Sequence, residues 1–145
     1  MSQPRILLAD DHPAVLDALR FLLNDLGEVV GTVTNGLALV EAAQCLKPDI
    51  IISDISMPGL NGLEATRALR QCVPHSKVII LTVHRTAVYV TLAFDAGASG
   101  YVLKRSAVAE LSQAVMHVLA GDRYVGQGLN VKDLLQAGSK EGRLA

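Results

Sequence analysis

The sequence predicts an α/β fold: a parallel sheet covered by helices on both faces. Three observations carry this. Five short apolar runs of strand length alternate with five stretches of helical periodicity along 145 residues. The central runs are continuously apolar rather than alternating, which is how strands buried on both faces read. Four of the runs end on polar residues, as strands do when their carboxyl ends open onto a ligand crevice.

Composition fits a single domain with an aliphatic core. Half of the residues are hydrophobic, yet there is no Trp, with two Phe and three Tyr. The length is enough to bury a core in one domain. Thirteen Lys and Arg against fourteen Asp and Glu give a net charge of −1, which excludes the basic footprint of a nucleic-acid-binding domain. No run approaches the roughly 20 apolar residues of a membrane span. Residues 1–5 lead straight into a strand without the shape of a signal peptide, so the expected location is the cytoplasm. Cys45 and Cys72 fall in predicted helices without metal-ligand or CxxC spacing. They are expected to be buried, reduced thiols.

Residues 5–9 (RILLA) form the first strand, bounded by Pro4 and by the polar turn Asp10-Asp11-His12-Pro13. Pro13 suits the first turn of a helix, where its missing N–H costs nothing. Val15, Leu19, Leu22 and Leu26 then recur at helical spacing beside Leu16 and Leu23, and Gly27 supplies the stop. Residues 28–33 (EVVGTV) make the second strand, ended by Asn35-Gly36, and residues 37–46 the second helix, halted by Lys47-Pro48. The third strand is the isoleucine run of residues 50–52, delivering Asp54 before the chain breaks at Pro58-Gly59. A third helix opens at Asn61 or Gly62 and closes near Pro74. Residues 77–81 (KVIIL) deliver Thr82, and a fourth helix over residues 85–96 ends at Gly97. Residues 99–103 (SGYVL) deliver Lys104. Ser106 is placed to cap a fifth helix whose apolar stripe is Val108, Leu111, Val115, Val118 and Leu119. Beyond that point the glycines multiply, with one helical turn over residues 131–136. The expected organisation is a domain over residues 1–121 and a linker-like extension over residues 122–145.

The strand ends gather one chemistry. Asp10 and Asp11 come from the first strand, Asp54 from the third, Thr82 from the fourth and Lys104 from the fifth. Three carboxylates in one crevice repel unless a cation sits among them. Hard oxygen donors suit Mg²⁺, which binds through one or two carboxylates while keeping waters and phosphate oxygens. A lysine and a hydroxyl alongside are what a phosphoryl group requires. His12 is a single histidine beside the acids and reads as a turn residue.

In these motifs the chain resembles the receiver domain of two-component response regulators. The matching positions are Asp10-Asp11, Asp54 followed by Met57-Pro58 and Gly62, Thr82, and Lys104, and the likeness covers residues 5–120. Leu81-Thr82-Val83-His84 and residues 97–104 (GASGYVLK), with Arg105 after the lysine, are most similar to the NarL/FixJ class. Members of that class usually carry a helix-turn-helix DNA-binding domain after the receiver. The resemblance implies a flavodoxin-like (βα)5 fold with strand order 2-1-3-4-5. It also implies a partner, a sensor histidine kinase, and the cytoplasmic location. Asp54 would be the phosphorylation site, taking a phosphoryl group as an acyl phosphate. Asp11, Asp54 and the Ser56 carbonyl would ligate Mg²⁺, with Asp10 helping through water. Thr82, Lys104 and the Ser56 and Val83 backbone would meet the phosphoryl oxygens. Thr82 turning inward would let Tyr101 rotate into the space behind it, switching the face made by the fourth helix, fifth strand and fifth helix. Such a protein catalyses only its own phosphorylation and dephosphorylation.

Some positions stay open. His84 and Ser56 each lie two residues beyond a key residue. They would tune the lifetime of the phosphoryl group, or His84 would simply cap the fourth helix. Val88 and Leu92 stand one turn apart and should face outward, marking either a docking or homodimer surface or scattered exposed aliphatics. Three rivals remain. A Mg²⁺-dependent phosphohydrolase would want a second acid two residues after Asp54, where Ser56 stands. A nucleotide binder would want a phosphate loop after the first strand, where Asp10-Asp11-His12-Pro13 stands. A receiver serving only as an interaction module would not need the full acidic set.

Overall fold

Alternate residues of the central strands face opposite helix layers, and this alternation organises the molecule. The computed structural model describes residues 3–129. In chain order the elements are β1 (Arg5–Ala9), α1 (Pro13–Leu23), β2 (Glu28–Val33), α2 (Gly36–Leu46), β3 (Ile50–Ser53), α3 (Gly62–Cys72), β4 (Lys77–Thr82), α4 (Ala87–Ala96), β5 (Gly100–Leu103), α5 (Ala107–Leu119) and β6 (Tyr124–Val125). All pairings are parallel, in the order β2-β1-β3-β4-β5-β6. The flavodoxin-like order expected for the first five strands is therefore present, and β6 adds a sixth.

Ile51 of β3 packs with Leu7, Val78, Ile80, Tyr101 and Leu103 against α2, α3 and α4. Its neighbours Ile50 and Ile52 face the other way, with Ile6, Leu8, Ile79 and Val102, against α1 and α5. Fully burying each such side chain contributes about 1.5–3 kcal/mol. A short aliphatic strand is thus worth forming only with helices on both sides. The turns follow the local chemistry. Asn61 caps α3 in a reciprocal box: its side chain accepts from the Glu64 amide at 2.9 Å, and its own amide donates to Glu64 Oε1 at 3.1 Å. Gly97 ends α4 at φ 113°, a left-handed conformation that favours glycine.

Several expectations need correction. The fifth-helix stripe is Ala107, Leu111, Ala114, Val115 and Val118, while Val108 is 82% exposed. Leu111, Val115 and Val118 face the core as expected, Leu119 is 41% exposed, a 3-10 turn over Lys104–Ser106 precedes α5, and Ser106 makes no side-chain cap bond. α1 stops at Leu23, before Leu26, and buries Leu16, Leu19 and Leu23. α4 begins at Ala87 rather than Arg85. Cys45 and Cys72 are exposed, not buried, because each lies on the solvent side of its helix. Part of the stretch read as linker is the strand β6, paired with β5, so the expected boundary at residue 121 falls short of the sheet's edge. The helical turn expected over residues 131–136 lies outside the described residues. Among the described residues, no helix is long and apolar enough to cross a membrane.

Candidate functional site: an acidic crevice at the carboxyl edge

The parallel register brings the strand ends to one edge of the sheet. Ala9 of β1 pairs with Ser53 of β3, Ser53 with Ile80 of β4, and Thr82 with Leu103 of β5. The residues just beyond these ends, Asp10, Asp54 and Lys104, therefore converge. The Lys104 ammonium lies 2.7 Å from Asp10 Oδ2 and 2.8 Å from Asp54 Oδ2. Both carboxylates are almost fully buried, and the lysine is the cation that makes that burial tolerable. Desolvation alone would lower the ammonium's pKa. The hydrogen bonds and charges of Asp10 and Asp54 outweigh it and hold Lys104 above the ordinary lysine value.

The remaining oxygens are partly committed. Asp54 Oδ1 accepts from the Ile55 amide at 2.7 Å. Asp10 Oδ1 accepts from the His12 amide at 2.9 Å and lies 3.1 Å from the His12 ring. Asp11 differs. Its Oδ1 is buried and makes no hydrogen bond, although His12 Nδ1 passes 3.0 Å away. A buried, unsatisfied carboxylate oxygen in a cluster of acids is what a hard cation would satisfy. Asp10, Asp11 and His12 together offer donor atoms within 4.8 Å of one another. The donor set is mostly carboxylate oxygen, which suits Mg²⁺ better than a transition metal.

Gly62 fixes the loop beneath Asp54. Its amide donates to the Ile55 carbonyl at 2.8 Å, and a Cβ there would fall on the Asp54 carbonyl. The other wall is built from the end of β4. Thr82 is fully buried, with its hydroxyl 3.4 Å from the His84 amide, and Val83 is exposed. His84 does not cap α4, whose N-cap is Thr86. Its ring instead meets the Ser56 hydroxyl at 3.0 Å and stacks on Tyr89 with centroids 4.3 Å apart. The two loops flanking Asp54 are thereby joined across the crevice.

Tyr101 is fully buried, and its hydroxyl donates to the His84 carbonyl at 2.8 Å. Burial foremost, then the charges of Tyr89 and Asp54, raise its pKa above the usual tyrosine range, so it stays a donor. Val88 and Leu92 face outward, 65% and 39% exposed. Of the residues expected at the strand ends, the structure puts Asp10, Asp54 and Lys104 in contact, with Asp11 next to Asp10 and Thr82 at the end of β4. Sequence reasoning missed the stacking of Tyr89 on His84, the Asp10–Lys104 contact, and a third buried carboxylate, Glu110, which no periodicity distinguished from a surface acid.

Comparison with known proteins bears on this site. The profile of the response regulator receiver domain matches residues 6–116. The response regulator GacA of Pseudomonas viridiflava is 40% identical over 123 residues, covering 83% of this chain and 58% of GacA. UvrY of Escherichia coli strain K12 is 36% identical over 126 residues, 86% of this chain and 58% of its own length. The chain thus spans about 58% of the length of these relatives. Among solved structures, a LuxR-family two-component response regulator from Aurantimonas superposes with a TM-score of 0.82 at 36% identity, over 99% of this chain and all of that one. The isolated receiver domain of RcsB from Salmonella, solved with the phosphomimetic BeF3⁻, superposes with a TM-score of 0.81 at 26% identity, covering 88% and 96%.

Proposed function

The chain belongs to the response regulator receiver domain family, and on that premise we propose that it is a phosphoacceptor switch charged on Asp54. One observation carries this reading above the rest. Lys104 spans Asp10 and Asp54 while a buried Asp11 oxygen beside them lacks a partner. The crevice thus sets three carboxylates against one ammonium, an excess of negative charge that a divalent cation would offset.

A carboxylate oxygen of Asp54 attacks the phosphorus of a histidine kinase's phosphohistidine. The P–N bond breaks, its electron pair stays with the imidazole, and an acyl phosphate forms on Asp54. Asp11, Asp54 and the Ser56 carbonyl would hold Mg²⁺, with Asp10 helping through water, and the ion would offset the repulsion between the carboxylates and the arriving phosphoryl group. Lys104 moves its hydrogen bonds onto the phosphoryl oxygens. Thr82 and the Ser56 and Val83 backbone add donors around them, so the catalysis is positioning and charge stabilisation. The protein catalyses only its own charging and discharge.

His84 and Ser56, bonded across the mouth, screen the acyl phosphate from water and set its lifetime. Tyr101, buried and held by the His84 carbonyl, reads the position of the loop after Thr82 and passes it to α4, β5 and α5. Val88 and Leu92 on α4 are the association surface, for a second copy or a partner. The proposed setting is the cytoplasm, with transcription controlled through a helix-turn-helix domain joined to the receiver; a stand-alone receiver acting by protein–protein contact is the alternative. The test is intact mass after incubation with Mg²⁺ and phosphoramidate. One phosphoryl group is expected on the wild type and none on Asp54→Ala. No adduct on the wild type, or an equal adduct on both, would refute the reading.

A further inference from the structure

A buried acid on α5 that takes no part in the crevice holds the sixth strand in place. Glu110 Oε1 accepts from the Tyr124 hydroxyl at 2.7 Å and from the Gln127 amide at 2.9 Å. Backbone bonds add to this: the Tyr124 amide donates to the Ser99 carbonyl at 3.0 Å, and the Gly126 amide to the Tyr101 carbonyl at 2.8 Å. The approach at Gly126 is close, since a Cβ there would stand 3.3 Å from the Tyr101 carbonyl oxygen and 3.4 Å from Glu110 Oε1. Arg123 lies over the Phe94 ring of α4 at 5.4 Å, and Leu129 packs onto the core on the α4 side. This short segment therefore grips α4, β5 and α5 together.

Its register gives it a task. Val125 is paired with Tyr101, and residues paired across neighbouring strands direct their side chains to the same face. Tyr101 belongs to the α4-side core and Tyr124 packs on the opposite one. The register accordingly directs Val125 to the same, α4-facing side of the sheet as Tyr101, on the outermost strand. Without β6, β5 would be the edge strand, and a ring leaving the core would swing out over that edge.

We propose that residues 124–127 form a strap, latched by Glu110, that holds Tyr101 buried by occupying its way out. The strap docked with the ring inside is one state, and the strap lifted with the ring free to leave is the other. Whatever biases one side of this equilibrium biases the other by the same factor. Through the bond from the Tyr101 hydroxyl to the His84 carbonyl, the strap reaches the loop after Thr82. The chain's exit from the sheet is thereby tied to the acidic crevice.

The test uses the full chain without phosphodonor or metal, so it stands or falls apart from the reading of Asp54. Fluorotyrosine labelling gives separate ¹⁹F resonances for Tyr89, Tyr101 and Tyr124, with Tyr101 assigned from Tyr101→Phe. Amide hydrogen exchange reports on Tyr124 and Gly126. Tyr124→Phe keeps the ring and removes one latch bond. It should speed exchange at Gly126 about tenfold, as for loss of a hydrogen bond to a charged group, and give Tyr101 a solvent-exposed resonance absent from the wild type. Glu110→Gln, which keeps the side chain's shape, should shift both readouts in the same direction. Val125→Ala should expose Tyr101 while the strap amides stay protected. Strap amides that loosen in Tyr124→Phe and Glu110→Gln while Tyr101 remains wholly buried would overturn the proposal, as would a Tyr101 that stays buried in Val125→Ala. So would Tyr124→Phe exchanging at the wild-type rate.

Discussion

Replacing Lys104 with Met removes the ammonium and keeps most of the stem. In the native site that ammonium lies 2.7 Å from Asp10 and 2.8 Å from Asp54, whose side chains are only 2% and 4% exposed. Breaking a buried pair by deleting one partner typically costs 3–5 kcal/mol, because the remaining charge is left uncompensated. Lys104 itself is 19% exposed, which admits some water and places the cost near the lower end. About 3 kcal/mol corresponds to a fall in Tm of roughly 10 °C for a domain of this size. The sign with pH follows from the direction of the Lys104 shift. A pKa raised in the folded state contributes fully below the unfolded value of about 10.5 and is lost as pH rises through the folded one. The wild type therefore keeps its advantage at neutral pH, and the gap closes as pH rises through the folded value of Lys104. Mg²⁺ should raise the variant's Tm more than the wild type's, since the ion then has no ammonium to compete with. Thermal unfolding by circular dichroism, with and without Mg²⁺, reads all three effects. A variant melting within about 1 °C of the wild type in metal-free buffer at pH 7.5 would refute the pairing argument.

Other outcomes follow from the same geometry. Asn61→Ala should cost about 1 kcal/mol, measured by urea unfolding, because the box it forms with Glu64 is lost; an unchanged midpoint would contradict the assignment. His84→Ala should shorten the lifetime of the phosphoryl group about fivefold, the worth of one hydrogen bond, in a discharge time course. A longer lifetime would mean that the ring positions the attacking water instead of screening the site. Tyr124 should titrate in ultraviolet difference spectra at about 12, pushed up by burial and then by Glu110. Its contribution to stability is then complete below pH 10 and lost as pH rises toward 12. Val88→Glu with Leu92→Arg should weaken self-association or partner binding in sedimentation, and unchanged assembly would remove α4 as the contact face.

The sequence exposed most where a single physical constraint acted alone. Ile50, Ile51 and Ile52 must be buried on both faces, so the run announced a central parallel strand, and Asp54 followed at its end. Asp10, Thr82 and Lys104 were legible for the same reason, being the polar residues that terminate apolar runs. Helix phase was harder. Val108 satisfied the apolar spacing of the fifth helix beside Leu111, Val115 and Val118, but the buried face runs through the smaller Ala107 and Ala114 instead, leaving Val108 exposed. The exposed Cys45 and Cys72 show the limit of residue-type priors, since composition does not say which side of a helix a thiol lies on. The strap was illegible because β6 is two residues long and is held by Glu110. That acid belongs to α5 and reads, in sequence, like any solvated carboxylate.

The central claim is that Asp54 itself becomes an acyl phosphate, and borohydride trapping tests it most directly. An acyl phosphate is reduced to the alcohol by borohydride, whereas a free carboxylate is not. After incubation with Mg²⁺ and acetyl phosphate, reduction and peptide mapping should find the modification at Asp54 alone, and none when Mg²⁺ is chelated. Reduction at Asp10 or Asp11 instead, or no reduction anywhere in a well-folded protein, would contradict the account.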